Sequence, residues 1–355
     1  MKVVIIGSSI AGASLAYMLA KSGVDVEVYE RKARKDIGKK VCANIVSKTF
    51  LSSLKDLEIN KTKKLFRNKF DKAVFISGKN AIEFPTRCYK LNRQVFLDIL
   101  IEKAMKKGAR FHFKTEFLKF EKWNNKYKSH LRENNHTITV NSDILVGADG
   151  TSSKVAECSG LKRRNFFITS ESPVRTDKHF KKNAWYVFLK PEFGYYAFFD
   201  HEYAGAGCRL GKNLGTYQKS FFSYLKIKPA KIVAALEPEP GCIKPKDGLF
   251  LIGDAGGHVK FNGGGIVPAI RSAIAARDII LRKDYRLFRR IRFLQFINKI
   301  LARAFEKMDE DDWSNLFEIL KDKKFQKLIE NRDEISIYEK VVVDPRFLRF
   351  IPKLF

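Results

Sequence analysis

The chain is poor in cysteine: Cys42, Cys88, Cys158, Cys208 and Cys242 are scattered, odd in number and without a Cys-x-x-Cys pair. That spacing argues against both a disulfide framework and a zinc site. The six histidines form no ligand cluster either, so no metal is expected. No apolar run approaches the roughly 20 residues of a membrane-spanning helix. The opening MKVVIIGSS reads as a strand and not as a signal peptide, which predicts a cytoplasmic protein without a transmembrane helix. Acidic residues are scarce too: 39 Asp and Glu stand against 68 Lys and Arg, a formal net charge of +29. Nucleic acid and an anionic membrane surface both suit such a charge, and so does a plain compositional bias. No nucleic-acid motif accompanies it, so nucleic acid is not an expected partner. What is present is 45% hydrophobic and 30% charged over 355 residues, an ordinary globular composition with room for two or three domains.

The N-terminal stretch carries the first positive signal. Residues 2 to 6, KVVII, form a β-branched strand, followed by Gly7-Ser8-Ser9-Ile10-Ala11-Gly12, a helical segment to Lys21, and a second strand, Val24 to Tyr29, ending at Glu30. This is a βαβ unit with a dinucleotide fingerprint. Gly7 permits the tight turn, Gly12 permits close packing of the helix, and the helix N-terminus faces a pyrophosphate. Glu30, 23 residues after Gly7, is placed to bond a ribose hydroxyl and disfavours a 2′-phosphate. Ser9 replaces the middle glycine with a small side chain.

Two further strand-to-loop junctions follow. Ile144 to Val146 run into Gly147-Ala148-Asp149-Gly150, and Leu249 to Ile252 run into Gly253-Asp254. After Asp254 a loop holding Gly256, Gly257, Gly263, Gly264 and Gly265 opens a helix at Ile266. Glycines let a backbone approach a flat ligand, and a helix start favours negative charge. Between these junctions, Asn92-Arg93 open an amphipathic helix ending near Gly108. Arg93 is either a solvated first-turn residue or one that reaches a cofactor phosphate. Ala73 to Ile76 with Ala81 to Phe84 suggest a hairpin, and Arg110 to Phe120 with Thr137 to Val140 suggest a meander.

The three elements together resemble the flavoprotein superfamily that holds the aromatic hydroxylases and the geranylgeranyl reductases, over roughly residues 1 to 280. The resemblance implies FAD as cofactor, with the fingerprint on its ADP half, Glu30 on the ribose and Asp254 on the ribityl chain. Within the superfamily, Lys40-Val41-Cys42-Ala43 is similar to the KxCG loop of the archaeal geranylgeranyl reductases, with Ala43 in place of glycine. Gly194 to Phe199 followed by Gly205 to Gly211 is similar to their GYxWxFP and NxGxG pair, with Ala197 and Asp200 in place of tryptophan and proline. Gly263-Gly264-Gly265-Ile266 before a small-residue helix is the third likeness. Cofactor contacts are expected from Gly7, Ser9, Ala11, Gly12, Glu30, Arg31, Cys42, Ala43, Ile45, Arg93, Phe117, Asp149, Asp254, Gly264, Gly265 and Ile266.

Trp185, Tyr186, Phe188, Phe193, Tyr195, Tyr196, Phe198 and Phe199 crowd into 15 residues with strand-like spacing. They form either a plain sheet core or an aromatic wall for a polyprenyl chain or a planar aromatic substrate. Trp185, Tyr186, Tyr195, Tyr196 and Phe198 are the expected substrate contacts. Cys42, a buried filler or a thiol beside the cofactor, and Tyr195 are the candidate catalytic proton donors. Beyond Ala276 basic residues interleave with apolar ones, as in a helix that lies on a lipid surface or packs on the protein. The tail Phe347 to Phe355 is likewise aromatic and basic.

The expected fold is α/β: a Rossmann-like FAD-binding domain (1–69, 88–160 and 241–285), an antiparallel β-sheet substrate domain (70–87 and 161–240) and a C-terminal basic helical region (286–355). The expected activity is FAD-dependent saturation of geranylgeranyl C=C bonds in archaeal membrane ether lipids or their precursors. NAD(P)H or a ferredoxin is the electron donor and an anionic inner membrane face the peripheral docking surface. A flavin monooxygenase of an aromatic or polyprenyl substrate is the alternative, and a basic nucleic-acid binder on a flavin fold a more distant one.

Overall fold

The strand Lys2–Ile6 has almost no exposed side chain after its first residue. A β-branched run buried on both faces belongs in the interior of a parallel sheet. It lies at the centre of a five-stranded parallel sheet, in the order Leu249–Leu251, Ile144–Gly147, Lys2–Ile6, Asp25–Glu30 and Arg110–Phe113. This computed structural model describes residues 1–161, 165–174 and 180–322. The basic aromatic tail from 347 onward lies outside them.

One face of the parallel sheet carries the helices Ile10–Lys21, Arg93–Lys106 and Ile266–Arg282, which share one apolar core with Val3, Ile5, Val26 and Val28. The first of these helices, IAGASLAYMLAK, is buried over nearly its whole length, which explains its lack of a polar face. The opposite face is covered by an antiparallel meander, Thr115–Trp123, Lys126–Glu133 and His136–Ser142, through Phe117, Tyr127 and Leu131. The meander expected to begin at Arg110 begins at Thr115. Lys114 takes a left-handed φ of 57° and breaks the run, leaving Arg110–Phe113 as the edge strand of the parallel sheet.

A second, eight-stranded sheet follows the order Val233–Pro238, Phe166–Pro173, Tyr203–Arg209, Tyr196–Phe199, Ala184–Phe188, Phe66–Ser77, Asn80–Leu91 and Ile45–Val46. It is mixed and not purely antiparallel, because Ala184–Phe188 pairs parallel with Phe66–Ser77. The hairpin Phe66–Ser77/Asn80–Leu91 is longer than its apolar stretches suggested. Residues Tyr186, Phe188 and Phe199 pack against the helix Leu214–Leu225 on one face. On the other, Ile82, Phe84, Val187 and Leu189 meet the helix Glu310–Leu320 through Trp313, Leu316 and Phe317. That last helix begins in a capping box between Asp309 and Asp312, with three acids in its first turn facing the positive end of its dipole.

Candidate active site

Gly7 leaves the first strand with φ of 99°, and a Cβ there would lie 2.4 Å from the Ala148 carbonyl oxygen. At Gly12 a Cβ would stand 2.0 Å from the Gly7 carbonyl oxygen. Neither position has room for a side chain, so the helix start is drawn tightly against the strand end. Ser9 caps that helix without a side-chain capping bond, and it lines a cavity of about 790 Å³ together with Gly7, Ala11, Glu30 and Arg31. Glu30 is held by three donors. Ser8 N–H (2.9 Å) and Ser8 Oγ (3.1 Å) donate to one oxygen and Lys32 N–H (2.9 Å) to the other. Arg93, the first residue of its helix, is buried on the same cavity wall, and its Nε has no hydrogen-bond partner among the described residues. An unpaired buried donor costs about 1–3 kcal/mol until a ligand accepts from it.

At the far side of the cavity, Asp254 sits in the turn Gly253–Gly256 and accepts from Lys40 Nζ at 2.6 Å and from Thr151 Oγ1 at 3.5 Å. Loss of water alone would raise the Asp254 carboxyl. Lys40 more than offsets this and holds it below the usual carboxylate range. Attraction to Asp254 in turn raises the Lys40 ammonium. Two residues on, Cys42 N–H donates to Glu171 Oε2 at 3.0 Å, so the 38–44 loop is tied down at two points over the cavity. Cys42, Phe117, Asp149, Gly265 and Ile266 line the cavity; Gly12, Ala43, Ile45 and Gly264 do not. The oxygens of Asp149 are taken by Ser153 Oγ (2.6 Å), Lys154 N–H (2.7 Å) and Val155 N–H (3.1 Å), which makes it the brace of the helix Lys154–Cys158.

The mixed sheet contributes a wall. Gly207 pairs with Tyr196 across the strands, and a Cβ on it would touch the Tyr196 ring at 3.2 Å; at Gly205 it would meet the Phe198 ring at 2.8 Å. The strand Phe166–Pro173 crowds the same two positions, with Ser170 O at 1.9 Å from a Cβ on Gly205 and Thr169 Cγ2 at 3.0 Å from one on Gly207, so glycine is required on both counts. The Tyr196 hydroxyl is raised well above its ordinary value by burial, with Glu237 and Cys42 adding to the effect. Glu237, from the strand Val233–Pro238, lines the cavity and accepts from Thr169 Oγ1 at 3.4 Å. Loss of water raises its carboxyl to about 7, with Lys40 pulling it down and Asp254 pushing it up.

The aromatic cluster is divided between the two faces of the sheet. Trp185 and Tyr196 pack on the side of the C-terminal helices, and Phe198 stands on that side opposite Val187. Tyr186 points to the other face, against Phe199, with its hydroxyl accepting from Lys181 N–H at 2.8 Å. Neighbouring strand residues alternate in direction, so Trp185 and Tyr186 cannot share one wall. Trp185, Tyr186, Tyr195, Tyr196 and Phe198 all lie outside the cavity lining, which the mixed sheet reaches through Ala234 to Pro238. The Tyr195 hydroxyl donates to the Phe261 carbonyl at 2.7 Å and its ring packs on Phe167 at 4.8 Å. Lys40 and Glu237 are the site groups that sequence reasoning did not single out. Lys40 was visible in its motif, whereas Glu237 stands in VAALEP with no local signal.

Residues 1–197, more than half of the chain, match the FAD binding domain family. The chain belongs to that family. An uncharacterized protein of Methanosarcina barkeri is 30% identical over 297 residues, 78% of this chain and 74% of its own. The digeranylgeranylglycerophospholipid reductase of Methanococcus vannielii is 25% identical over 303 residues, 78% of this chain and 76% of its own. Among solved structures, a geranylgeranyl bacteriochlorophyll reductase-like protein of Thermoplasma acidophilum shares the fold, with a TM-score of 0.83 over 99% of this chain and 98% of its own at 20% identity.

The residues of this flavoprotein fit FAD on physical grounds as well. The crowding at Gly7 and Gly12 draws the helix start against the strand end, so that Gly7, Ser9 and Ala11 border the cavity, and the orphaned Arg93 Nε calls for an acceptor such as a phosphate. Asp254 and the helix start at Ile266 provide an acceptor and a positive dipole end beside each other. The protein is a flavin-dependent oxidoreductase.

Proposed function

We propose that this flavoprotein saturates carbon–carbon double bonds of geranylgeranyl chains, those of archaeal membrane ether lipids or their precursors. The observation that carries the reading is the edge of the mixed sheet on the cofactor cavity, where Ala234, Ala235, Leu236 and Glu237 line it opposite Cys42 and the Tyr196 ring stands behind them, close enough for Glu237 and Cys42 to act on its hydroxyl. An apolar wall suits a prenyl chain, since each buried methylene contributes about 0.8 kcal/mol. The relatives that carry a reductase name support the substrate class.

Reduced FAD, when bound, supplies a hydride to one alkene carbon. The work left to the protein is to hold that cofactor, exclude water and provide a proton for the other carbon. Arg93 and the turn after Gly7 would hold the phosphates, Glu30 the ribose and Asp254 the ribityl chain. The N-terminus of Ile266–Arg282 stabilises negative charge developing near it. Cys42 lines the cavity and is our candidate for the final proton transfer. Tyr195, committed to the Phe261 carbonyl, instead fixes the loop that leads into the glycines.

The basic C-terminal helix Arg286–Lys307 supports a lipid-bound substrate. It buries Phe288, Ile291 and Leu294, yet leaves Phe293 and Phe296 56% and 60% exposed beside Arg289, Arg290 and Arg292. Exposed aromatics among arginines match an anionic lipid surface. No helix among the described residues is long and apolar enough to cross a membrane.

The test is product analysis. The protein, FAD, a geranylgeranyl ether lipid and dithionite are incubated under argon, and the lipid is examined by mass spectrometry. Addition of two hydrogens per reacted bond supports the reductase. An untouched lipid under argon that gains oxygen in air, with a nicotinamide as reductant, replaces this reading with a monooxygenase.

A further inference from the structure

We infer that Glu237 is the proton store of this site: it binds a proton when the flavin is reduced and passes it toward the substrate by way of the Tyr196 hydroxyl. The first half needs only a bound flavin, and the second rests on the reductase reading above.

The geometry converges on Gly263, the first of the three consecutive glycines that lead into Ile266–Arg282. A Cβ at Gly263 would lie 2.4 Å from Glu237 Oε2 and 3.3 Å from the Tyr196 hydroxyl, so the acid and the phenol crowd the same point. The other Glu237 oxygen accepts from Thr169 Oγ1 at 3.4 Å. Charged neighbours reach Glu237 from three further elements: Lys40 from the 38–44 loop, Arg93 from its helix and Asp254 from the Gly253–Gly256 turn. Lys40 is already paired with Asp254 at 2.6 Å. Two carboxylates thus draw on one close ammonium, and they do not ionise with equal ease. Asp254 keeps its charge, and Glu237 is the carboxylate of the two that takes up a proton near neutrality.

Reduction of the cofactor by a nicotinamide or dithionite consumes two electrons and one proton. Added negative charge in the site disfavours the Glu237 carboxylate, which takes a second proton from solvent. On turnover a hydride leaves for one alkene carbon and the stored proton reaches the other through Tyr196 and Cys42. The cofactor returns to its oxidised form and Glu237 to its carboxylate.

The experiment compares the FAD-loaded wild-type protein with Glu237→Gln, measuring the flavin midpoint potential against pH above neutrality. The expected result is a potential that falls twice as steeply in the wild type, two protons per two electrons against one in the variant. A reduced-minus-oxidised infrared spectrum of the wild type should also show a protonated carboxyl band growing on reduction. Equal slopes in the two proteins, or no such band, overturn the proposal; if the variant fails to fold, the wild-type infrared spectrum decides alone. Doubled slope with no lipid reduction leaves the Glu237 assignment standing and removes the reductase reading. A preparation that holds no flavin overturns both.

Discussion

A methyl group at position 12 would meet the Gly7 carbonyl at 2.0 Å and the Ala148 side chain at 3.2 Å. Gly12→Ala is therefore expected to cost about 1–3 kcal/mol by overpacking and to strip the protein of flavin, which thermal melting and the visible spectrum of the purified variant would check. A normal melt with full flavin content would contradict this steric account. Charge at the cavity makes a second prediction. Asp254 is held below its unfolded value of 3.8 by Lys40, so this pair stabilises the fold above that pH and the contribution fades as pH falls below it. Glu237 has the opposite sign. Its folded value of about 7 lies above the unfolded 4.5, so its contribution is complete below 4.5 and is lost as pH rises through 7. Melting of flavin-free protein should show a loss of roughly 2–3 kcal/mol across that window, flattened in Glu237→Gln. A Lys40→Met variant should lose about 1–2 kcal/mol at neutral pH, since Lys40 is partly exposed, and its Asp254 should titrate higher. Residues whose role is to let the backbone pass, Gly7 and Gly12, were legible in the sequence because only glycine does that work. Glu237 was not, because its position depends on the pairing of Val233–Pro238 with Phe166–Pro173, two segments far apart in the chain.

The element that most needed the structure was the helix Arg286–Lys307. Sequence spacing left open whether its apolar residues pack inward or face lipid, and the two sets are separate: Phe288, Ile291 and Leu294 inward, Phe293 and Phe296 outward. The double variant Phe293→Ser/Phe296→Ser should keep its flavin spectrum and melting temperature while binding to anionic vesicles falls at least about tenfold, the scale of losing two interfacial aromatics. Cosedimentation with vesicles of phosphatidylglycerol checks it, and unchanged binding would remove the helix from the membrane account. The aromatic strands carry a lesson in parity. A run such as Ala184–Phe188 looks uniformly aromatic in sequence, yet Tyr186 and Trp185 serve different cores because alternate side chains leave the sheet on opposite faces. The meander boundary was hidden for a similar reason, since one left-handed residue, Lys114, divides an apparently continuous strand between two sheets.

At the scale of the molecule, the parallel sheet and its fingerprint supply the cofactor cavity, and the mixed sheet supplies the wall that faces it. The parallel sheet was legible because buried strands such as KVVII and ILVG and their glycine turns are local signals. The mixed sheet was legible only as a set of strands. Its order depends on pairings between segments more than 100 residues apart, such as Phe66–Ser77 with Ala184–Phe188. The loop that carries Lys40 and Cys42 joins the two parts, tied to Asp254 on one side and Glu171 on the other. The central claim is that this junction brings a reduced flavin and a prenyl chain together. It is tested most directly by reducing the FAD-loaded protein anaerobically, mixing it with a geranylgeranyl ether lipid and following the flavin absorbance in a single turnover. The account predicts return of the oxidised flavin spectrum with lipid and none with its saturated counterpart. A flavin that stays reduced with either lipid would contradict it.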